Sequence, residues 1–450
     1  MTLMDSELAG LATAAVIAVD IPHGSDIYAE SGLRRFIGDC LFTGIPGKPA
    51  LYSHPLAQEI LRLAESGKDY NLQAEQWMLE DGPAYEALTK FKDAAYQENE
   101  YRGKFVQNLA NALEVLWQMK EVELGLRTIP LDYRHVVKTC VGSELRNLDI
   151  KLDREELIKN LMEAGFDPDK YQGNVRNAVQ VWEESQGVLT GEAMKNEILR
   201  FIPLLAETTR KNVLSNLPYY VRKLPLDNFK VSYLPDAWFM ASNNYTGDRK
   251  PYESGYEFTA KLKLPSPRIE TLTRHEAIPG HHFSAVLKHD QIRKGLLSRV
   301  AGVHTMCTPD CSLNEGIANS GALILYGENP NKFLNLDQRI ALNLEKLDYM
   351  GRVNAVVMRF QDCKTHEEIK NHLVVDCCST PEMADTIIRR LGMSPIHQAY
   401  LPGYGLGAEL VQDVLKKFDR GEALKTLYGF NGPVDAITLP EMAEEFCTPI

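Results

Sequence analysis

Apolar residues recur at three- and four-residue spacing through most of the first half of this 450-residue chain. Residues 54–66 (HPLAQEILRLAES) and 105–121 carry that period, which sets one face of a helix against a core. Asp153 and Glu156 form a D-x-x-E start signal ahead of Leu157, Leu161 and Met162. Residues 191–217 are another long amphipathic run. The period changes after about residue 216. Residues 229–234 (FKVSYL), 238–245 and 255–264 (GYEFTAKLKL) are rich in β-branched and aromatic side chains. Turn formers separate them, at Pro235-Asp236 and from Gly247 to Pro251, which predicts a small sheet of two or three strands. Helical spacing returns at Pro267, with one more helix start where Ser379 and Glu382 flank Thr380-Pro381. The pattern predicts a mainly α fold with a small β-sheet in its middle. Residues 1–216 read as a helical lobe and 217–450 as a lobe of sheet and helices. Nothing near 217 has the composition of a linker, so the two are expected to form one continuous unit.

Composition is that of an ordinary globular protein, and charge narrows its partners. Forty-nine Lys and Arg against 61 Asp and Glu give a net charge of −12, which repels phosphate backbones and argues against nucleic acid. No apolar run reaches the ~20 residues that cross a bilayer. The segment 8–19 (LAGLATAAVIAV) is as apolar as a secretory signal. It follows Asp5 and Glu7 with no Lys or Arg, so it predicts a buried helix instead. Eight cysteines, at 40, 140, 307, 311, 363, 377, 378 and 447, are too sparse for a disulfide scaffold and read as free thiols. These features together predict a cytoplasmic protein with no membrane partner.

The chemistry concentrates in one place. Of 11 histidines, three fall within Arg274-His275-Glu276-Ala277-Ile278-Pro279-Gly280-His281-His282-Phe283. Imidazole and carboxylate are zinc ligands, and a glutamate beside the first histidine is the zinc-protease arrangement. In the usual H-E-x-x-H the second histidine comes four residues after the first, on the same helical face. Here that place is Pro279, which binds no metal. On a straight helix His281 would lie about 240° from His275, and His282 would return to the right face about 10.5 Å further along. The constellation therefore requires an irregular helix, which Pro279-Gly280 supplies. A bulge of two residues would return His281 to the ligand position, and His282 stays a second candidate. His366-Glu367-Glu368-Ile369-Lys370-Asn371-His372 repeats the spacing without a breaker, and reads as the solvated face of an ordinary helix.

A third ligand is needed, with a fourth position left to water. Glu315, in Leu313-Asn314-Glu315-Gly316-Ile317, is the candidate. It opens an apolar helical run, and Gly316 lets a neighbour approach closely. His304, Cys307 and Cys311 are a rival cluster, short of a fourth ligand and set on the Pro309-Asp310 turn; packed thiols are the preferred reading there.

H-E-A-I-P-G-H-H followed by a downstream E-G resembles the bacterial proteins catalogued as domain of unknown function 885. These look like distant relatives of the helical zinc peptidases that include angiotensin-converting enzyme and the thermostable carboxypeptidases. The resemblance is carried by residues 275–282 and 315–318, extends over about 225–410, and does not reach 1–215. It implies a mostly helical, two-lobed zinc-hydrolase fold with a cleft. It also implies His275, His281 and Glu315 as ligands of Zn2+ and Glu276 as general base. The chain departs from the family pattern at Ser284 (for Gln), Ile317 (for Trp), Ser320 (for Tyr), Ala322 (for Glu) and Ala408 (for Tyr). With Ala408 unable to donate, Tyr404 and Tyr400 are the nearest candidates to steady an oxyanion.

The expected function is zinc-dependent hydrolysis of an amide bond in a small peptide or amino-acid conjugate. The departures point to a narrow substrate range. A lyase-type reaction on a small metabolite and a catalytically silent binding module remain as alternatives; the presence of Glu276 argues against the second.

Overall fold

A computed structural model of the chain describes residues 4–27, 54–65, 82–98, 100–235, 240–247, 250–393 and 395–450. Cys40, Asp236 and positions 66, 238, 239, 248 and 249 of the segments above lie outside them. Helix dominates, as the spacing predicts. The apolar segment 8–19 is the buried part of the helix Asp5–Ile27, with Leu8, Ile17 and the residues between them withdrawn from solvent. No helix among the described residues is long and apolar enough to cross a membrane.

One apolar cluster runs from Leu8 through Leu113 and Phe201 to Val286, Leu424 and Met442. Leu217 belongs to it, so the change of pattern near 217 falls inside a shared core. Smaller clusters gather around Val353 and Leu401, and around Trp182 and Leu344. The described cysteines are free, and all but Cys363 are buried.

The sheet stands where residue type and the turn formers placed it, with a topology that neither specifies. Among the described residues the strands are Phe229–Leu234, Ala241–Tyr245 and Ser254–Thr259. The third is central, parallel to the first and antiparallel to the second, with Val231 and Asn243 both opposite Tyr256. Tyr256 and Phe258 point into the core. The predicted run 255–264 is not one strand: the chain turns after Thr259, and Leu264–Pro265 pairs antiparallel with Val188–Leu189. Ala241–Tyr245 is thus an edge strand, and it borders the candidate site.

One helix start differs from the sequence reading and another stands where it was read. The helix Lys151–Glu163 begins before the D-x-x-E pair; Asp149 accepts from the Lys151 backbone N–H at 3.0 Å, while Asp153 binds Lys346 at 2.9 Å. At Pro381–Met393 the capping hydroxyl is that of Thr380, 3.2 Å from the Met383 N–H. In both places the residue nearest the first free N–H wins, because a short side chain reaches only two or three residues ahead.

The helices Pro309–Asn319 and Pro395–Lys417 pack against each other along much of their length. A Cβ on Gly316 would stand 2.3 Å from the Gly407 carbonyl oxygen, and one on Gly407 would stand 2.1 Å from the Ser312 oxygen. Only glycine at both positions allows this approach, which brings Glu315 to the tyrosines of the other helix.

Candidate metal centre

The motif is built from two helices rather than one bulged helix. Ser266–Glu276 ends after Glu276, and His281–Arg293 begins at His281. Between them Ala277 (φ −107°, ψ −86°) and Gly280 (φ −77°, ψ −132°) leave helical geometry. The Gly280 N–H donates back to the Arg274 carbonyl at 3.0 Å. The reversal is so tight that a Cβ on Gly280 would lie 1.8 Å from the His275 carbonyl oxygen. Ala277 and Ile278 are fully buried, and the Tyr428 hydroxyl donates to the Pro279 carbonyl at 3.2 Å. The expected two-residue insertion is therefore a complete stop and restart, with the same result for His281.

His275, His281 and Glu315 converge, with ligand atoms all within 4.8 Å of one another. The two Nε2 atoms are 3.2 Å apart. Glu315 Oε2 lies 3.5 Å from His275 Nε2, and Oε1 lies 3.7 Å from His281 Nε2. Nitrogen ligands ~2.05 Å from a tetrahedral zinc are separated by about 3.3 Å, close to these edges. The donor set fits in chemistry as well as spacing. His275 Nδ1 meets Asn319 Oδ1 at 2.9 Å, so Nδ1 carries the proton and Nε2 presents its lone pair to the centre. Glu315 Oε2 is buried without a hydrogen-bond partner, an orphan that a cation would satisfy. Burial, reinforced by the His281 ring, holds the His275 imidazole well below its usual pKa, against the pull of Asn319. Burial likewise lowers His281, opposed by Glu315. Both are neutral near pH 7, the form that binds metal.

Glu276 faces the same cavity, its carboxylate 4.0 Å from His275 Nε2. Burial and the neighbouring Glu315 raise its pKa to about 8, opposed by a hydrogen bond from the Asn243 backbone. Tyr400 donates to Glu315 Oε1 at 2.5 Å, and Tyr404 donates to the Tyr400 oxygen at 2.8 Å. Burial and then Glu315 push both phenols up, so both remain donors. The Arg352 guanidinium sits 4.4 Å from the centre of the Tyr404 ring, held by Asp348 at 2.6 Å.

His282 does not join the group, which corrects its place among the candidate ligands. It follows His281 in the first turn of the second helix and so turns to the other side, fully buried against Phe229. Its Nδ1 meets the Ser254 hydroxyl at 2.7 Å, and that hydroxyl donates to Asn243 Oδ1 at 3.1 Å. Ser254 therefore accepts from Nδ1–H, and the buried Nε2 keeps a bare lone pair with no partner. Burial lowers the His282 pKa from 6.5 to about 3. The unfolded chain takes a proton here below pH 6.5 and the folded one does not, so stability present above 6.5 is lost as pH falls towards 3. Urea melts of the wild type against His282→Asn are expected to show the wild type's stability relative to the variant falling by about 2 kcal/mol between pH 7 and pH 5. A constant difference across that window would show that His282 is not held neutral by burial.

The other sequence candidates resolve as follows. His366 is exposed on the helix His366–Asn371, as expected. His372 is half-buried in a wider π turn, bonded to Asp376 at 2.9 Å. His304 does not gather with Cys307 and Cys311 around a metal position; its Nδ1 pairs with Asp310 Oδ2 at 2.6 Å. Ser320, Ala322 and Ala408 are buried and do not line the cavity, and the Ser320 hydroxyl faces the Ala408 carbonyl at 3.5 Å. Those departures therefore do not fall on the wall of the cavity. Ser284 does line it, donating to Asn314 at 2.9 Å.

Three participants escaped the sequence reading. Asn319 follows Glu315 by four residues on one helix, a same-face spacing that could have flagged it. Lys288 follows His281 by seven, again on the same face. Asn243 reaches Glu276 only through the fold of the sheet, and no local pattern announces it.

No protein family's sequence profile matches the chain, and no curated protein matches it in sequence. Among solved structures, it is similar to a "putative lipoprotein" from Colwellia psychrerythraea, with a TM-score of 0.51 and 16% identity over 88% of this chain and 73% of that one. A "putative lipoprotein of unknown function" from Shewanella oneidensis gives a TM-score of 0.53 and 16% identity over 88% and 70%. At this identity the likeness concerns the fold alone.

Proposed function

We propose that the chain is a zinc-dependent hydrolase that cleaves an amide bond in a small peptide or amino-acid conjugate. The observation that carries this reading is the spacing of His275 Nε2, His281 Nε2 and the Glu315 carboxylate, with the Glu276 carboxylate beside them. Zinc held by these three residues would supply Lewis acidity and a water acidified towards neutral pH. Asn319 keeps His275 in the ligand tautomer. Glu276 takes the proton from the water and returns it to the leaving amine. Its raised pKa reflects burial and the charge of Glu315; a cation beside Glu315 offsets that charge and brings Glu276 towards the range of a base working near pH 7. Tyr404 is the better oxyanion donor of the two tyrosines. Its proton rests on another hydroxyl, whereas that of Tyr400 is committed to a carboxylate, the stronger bond.

Substrate size follows from the cavity, about 210 Å³, with Ala241, Met306 and Ala285 on its apolar side. It is small beside pockets that take drug-sized ligands. Chelator-sensitive cleavage is expected on a few dipeptides or acyl-amino acids, with casein cleaved slowly. Activity that survives chelation would overturn the metal reading, and rapid cleavage of casein at many sites would overturn the size reading. Uptake of one ¹⁸O from labelled water into the acid product separates hydrolysis from a lyase step, which leaves none.

A further inference from the structure

One wall of the same cavity carries charge for which the hydrolytic step has no use. Lys288 Nζ meets Asp310 Oδ1 at 2.9 Å, and His304 Nδ1 meets Asp310 Oδ2 at 2.6 Å. All three are largely withdrawn from solvent, Asp310 most of all at 7% side-chain exposure, against 17% for Lys288 and 29% for His304. Lys288 and His304 line the cavity together with His275, His281 and Glu276. Asp310 is satisfied on both oxygens, and burial, which would raise its pKa, is outweighed by Lys288 and His304, so it stays low, at about 2. Asp310 thus acts as a fixed bracket. Lys288 spends one of three donors on it, and no described residue bonds His304 Nε2.

A half-buried ammonium with two donors to spare, held in place at the wall of a cavity, is placed to bind an anion that enters it. We infer that Lys288 and His304, clamped on Asp310, receive a carboxylate of the substrate. The substrate class is then an N-acylated amino acid, or the last residue of a short peptide, with its free carboxylate on this wall and its amide at the metal centre. This deepens the hydrolase reading, on which its substrate class rests. A singly charged group suits the site better than a phosphate dianion, because the carboxyl groups of Glu276 and Glu315 border the same small space and that of Asp310 already pairs with both Lys288 and His304. The elements also explain the placement. Lys288 stands two turns along from His281 on one helix, and Asp310 opens the helix that carries Glu315. The wall is therefore fixed to the metal ligands by rigid segments.

The test reads binding rather than turnover. Full-length, zinc-loaded protein carrying Glu276→Gln is titrated calorimetrically with N-acetyl-leucine and with N-acetyl-leucinamide. The acid is expected to bind about tenfold more tightly than the amide, as one charge-assisted hydrogen bond allows. Lys288→Met should bring the acid down to the level of the amide with zinc content unchanged, and Lys288→Arg should restore the preference. His304→Gln should weaken the acid and not the amide, and it carries the comparison alone if Lys288→Met does not fold. Equal affinities, no binding of either compound, or a preference that survives both substitutions would overturn the inference; the last outcome puts the carboxylate on the metal. A wild-type protein that prefers the acid yet cleaves no acyl-amino acid keeps this wall as a carboxylate site and removes the hydrolase.

Discussion

Protein carrying His275→Ala, His281→Ala or Glu315→Gln is expected to purify without zinc, while the wild type carries about one zinc per chain. Each substitution removes one of three donors that stand 3.2 to 3.7 Å apart, and two protein ligands do not hold zinc at a catalytic site. Glu276→Gln should behave differently. It leaves the three donors in place, so zinc content should match the wild type, while turnover falls by about 10²–10⁴, the usual contribution of a positioned acid–base group. His282→Ala should keep its zinc, since that ring faces Ser254 and Phe229. Variants at His366 and His372 should keep it too. Elemental analysis beside single-turnover rates reads both quantities. Zinc retained in His275→Ala would dismantle the site, and zinc lost from Glu276→Gln with Glu315→Gln unaffected would exchange the roles of the two glutamates.

Gly280→Ala is expected to destabilise the protein by about 3 kcal/mol and to weaken zinc binding at least about tenfold. The new methyl group would stand 1.8 Å from the His275 carbonyl oxygen and 2.7 Å from that of Arg274. Both obstacles are backbone, so no rotamer change relieves them. Separation of the two helices is the only relief, and it pulls His281 away from His275. Gly392→Ala is the matched control: it lies in the helix Pro381–Met393 with nothing within 4 Å of the added carbon, and should leave stability unchanged or slightly improved. Chemical denaturation with a zinc-affinity titration measures both. A Gly280→Ala protein as stable and as zinc-avid as the wild type would mean that the reversal is looser than its geometry.

The sequence made the candidate metal-binding cluster legible because the cause of its convergence is local. A proline and a glycine between histidines break a helix wherever they occur, so the convergence of His275 and His281 could be argued without a fold. The form of the break was not legible: a bulge and a full stop both return His281, and the choice depends on Ala277 and Ile278 being drawn into the core. The strands at 229–234 and 241–245 announced themselves by residue type, but their parallel and antiparallel pairing around residues 254–259 is a property of the whole chain. The hydrogen bond from Tyr400 to Glu315 was not legible, since the sequence offered the tyrosine only as a candidate oxyanion donor. Positions 320, 322 and 408 misled, because a motif position says nothing about which way a side chain turns. The wall of Lys288, Asp310 and His304 was half visible: His304 and Asp310 lie close together in sequence beside the thiols at 307 and 311, but no local pattern brings Lys288 to them.

The contact at Gly316 and Gly407 leaves two main chains touching, with no side chain between them to act as a cushion. A side-chain interface yields by rotamer hops; a backbone one does not. The Pro309–Asn319 and Pro395–Lys417 helices should therefore translate and tilt as a single stiff strut, with Glu315, Asn319, Tyr400 and Tyr404 riding on it as a fixed constellation. Breathing of the cavity is left to the other side, where the helix restarting at His281 and the edge strand Ala241–Tyr245 meet it. Widening of the cavity would thus change the distance from the strut to His281 while leaving the tyrosines in register with their glutamate.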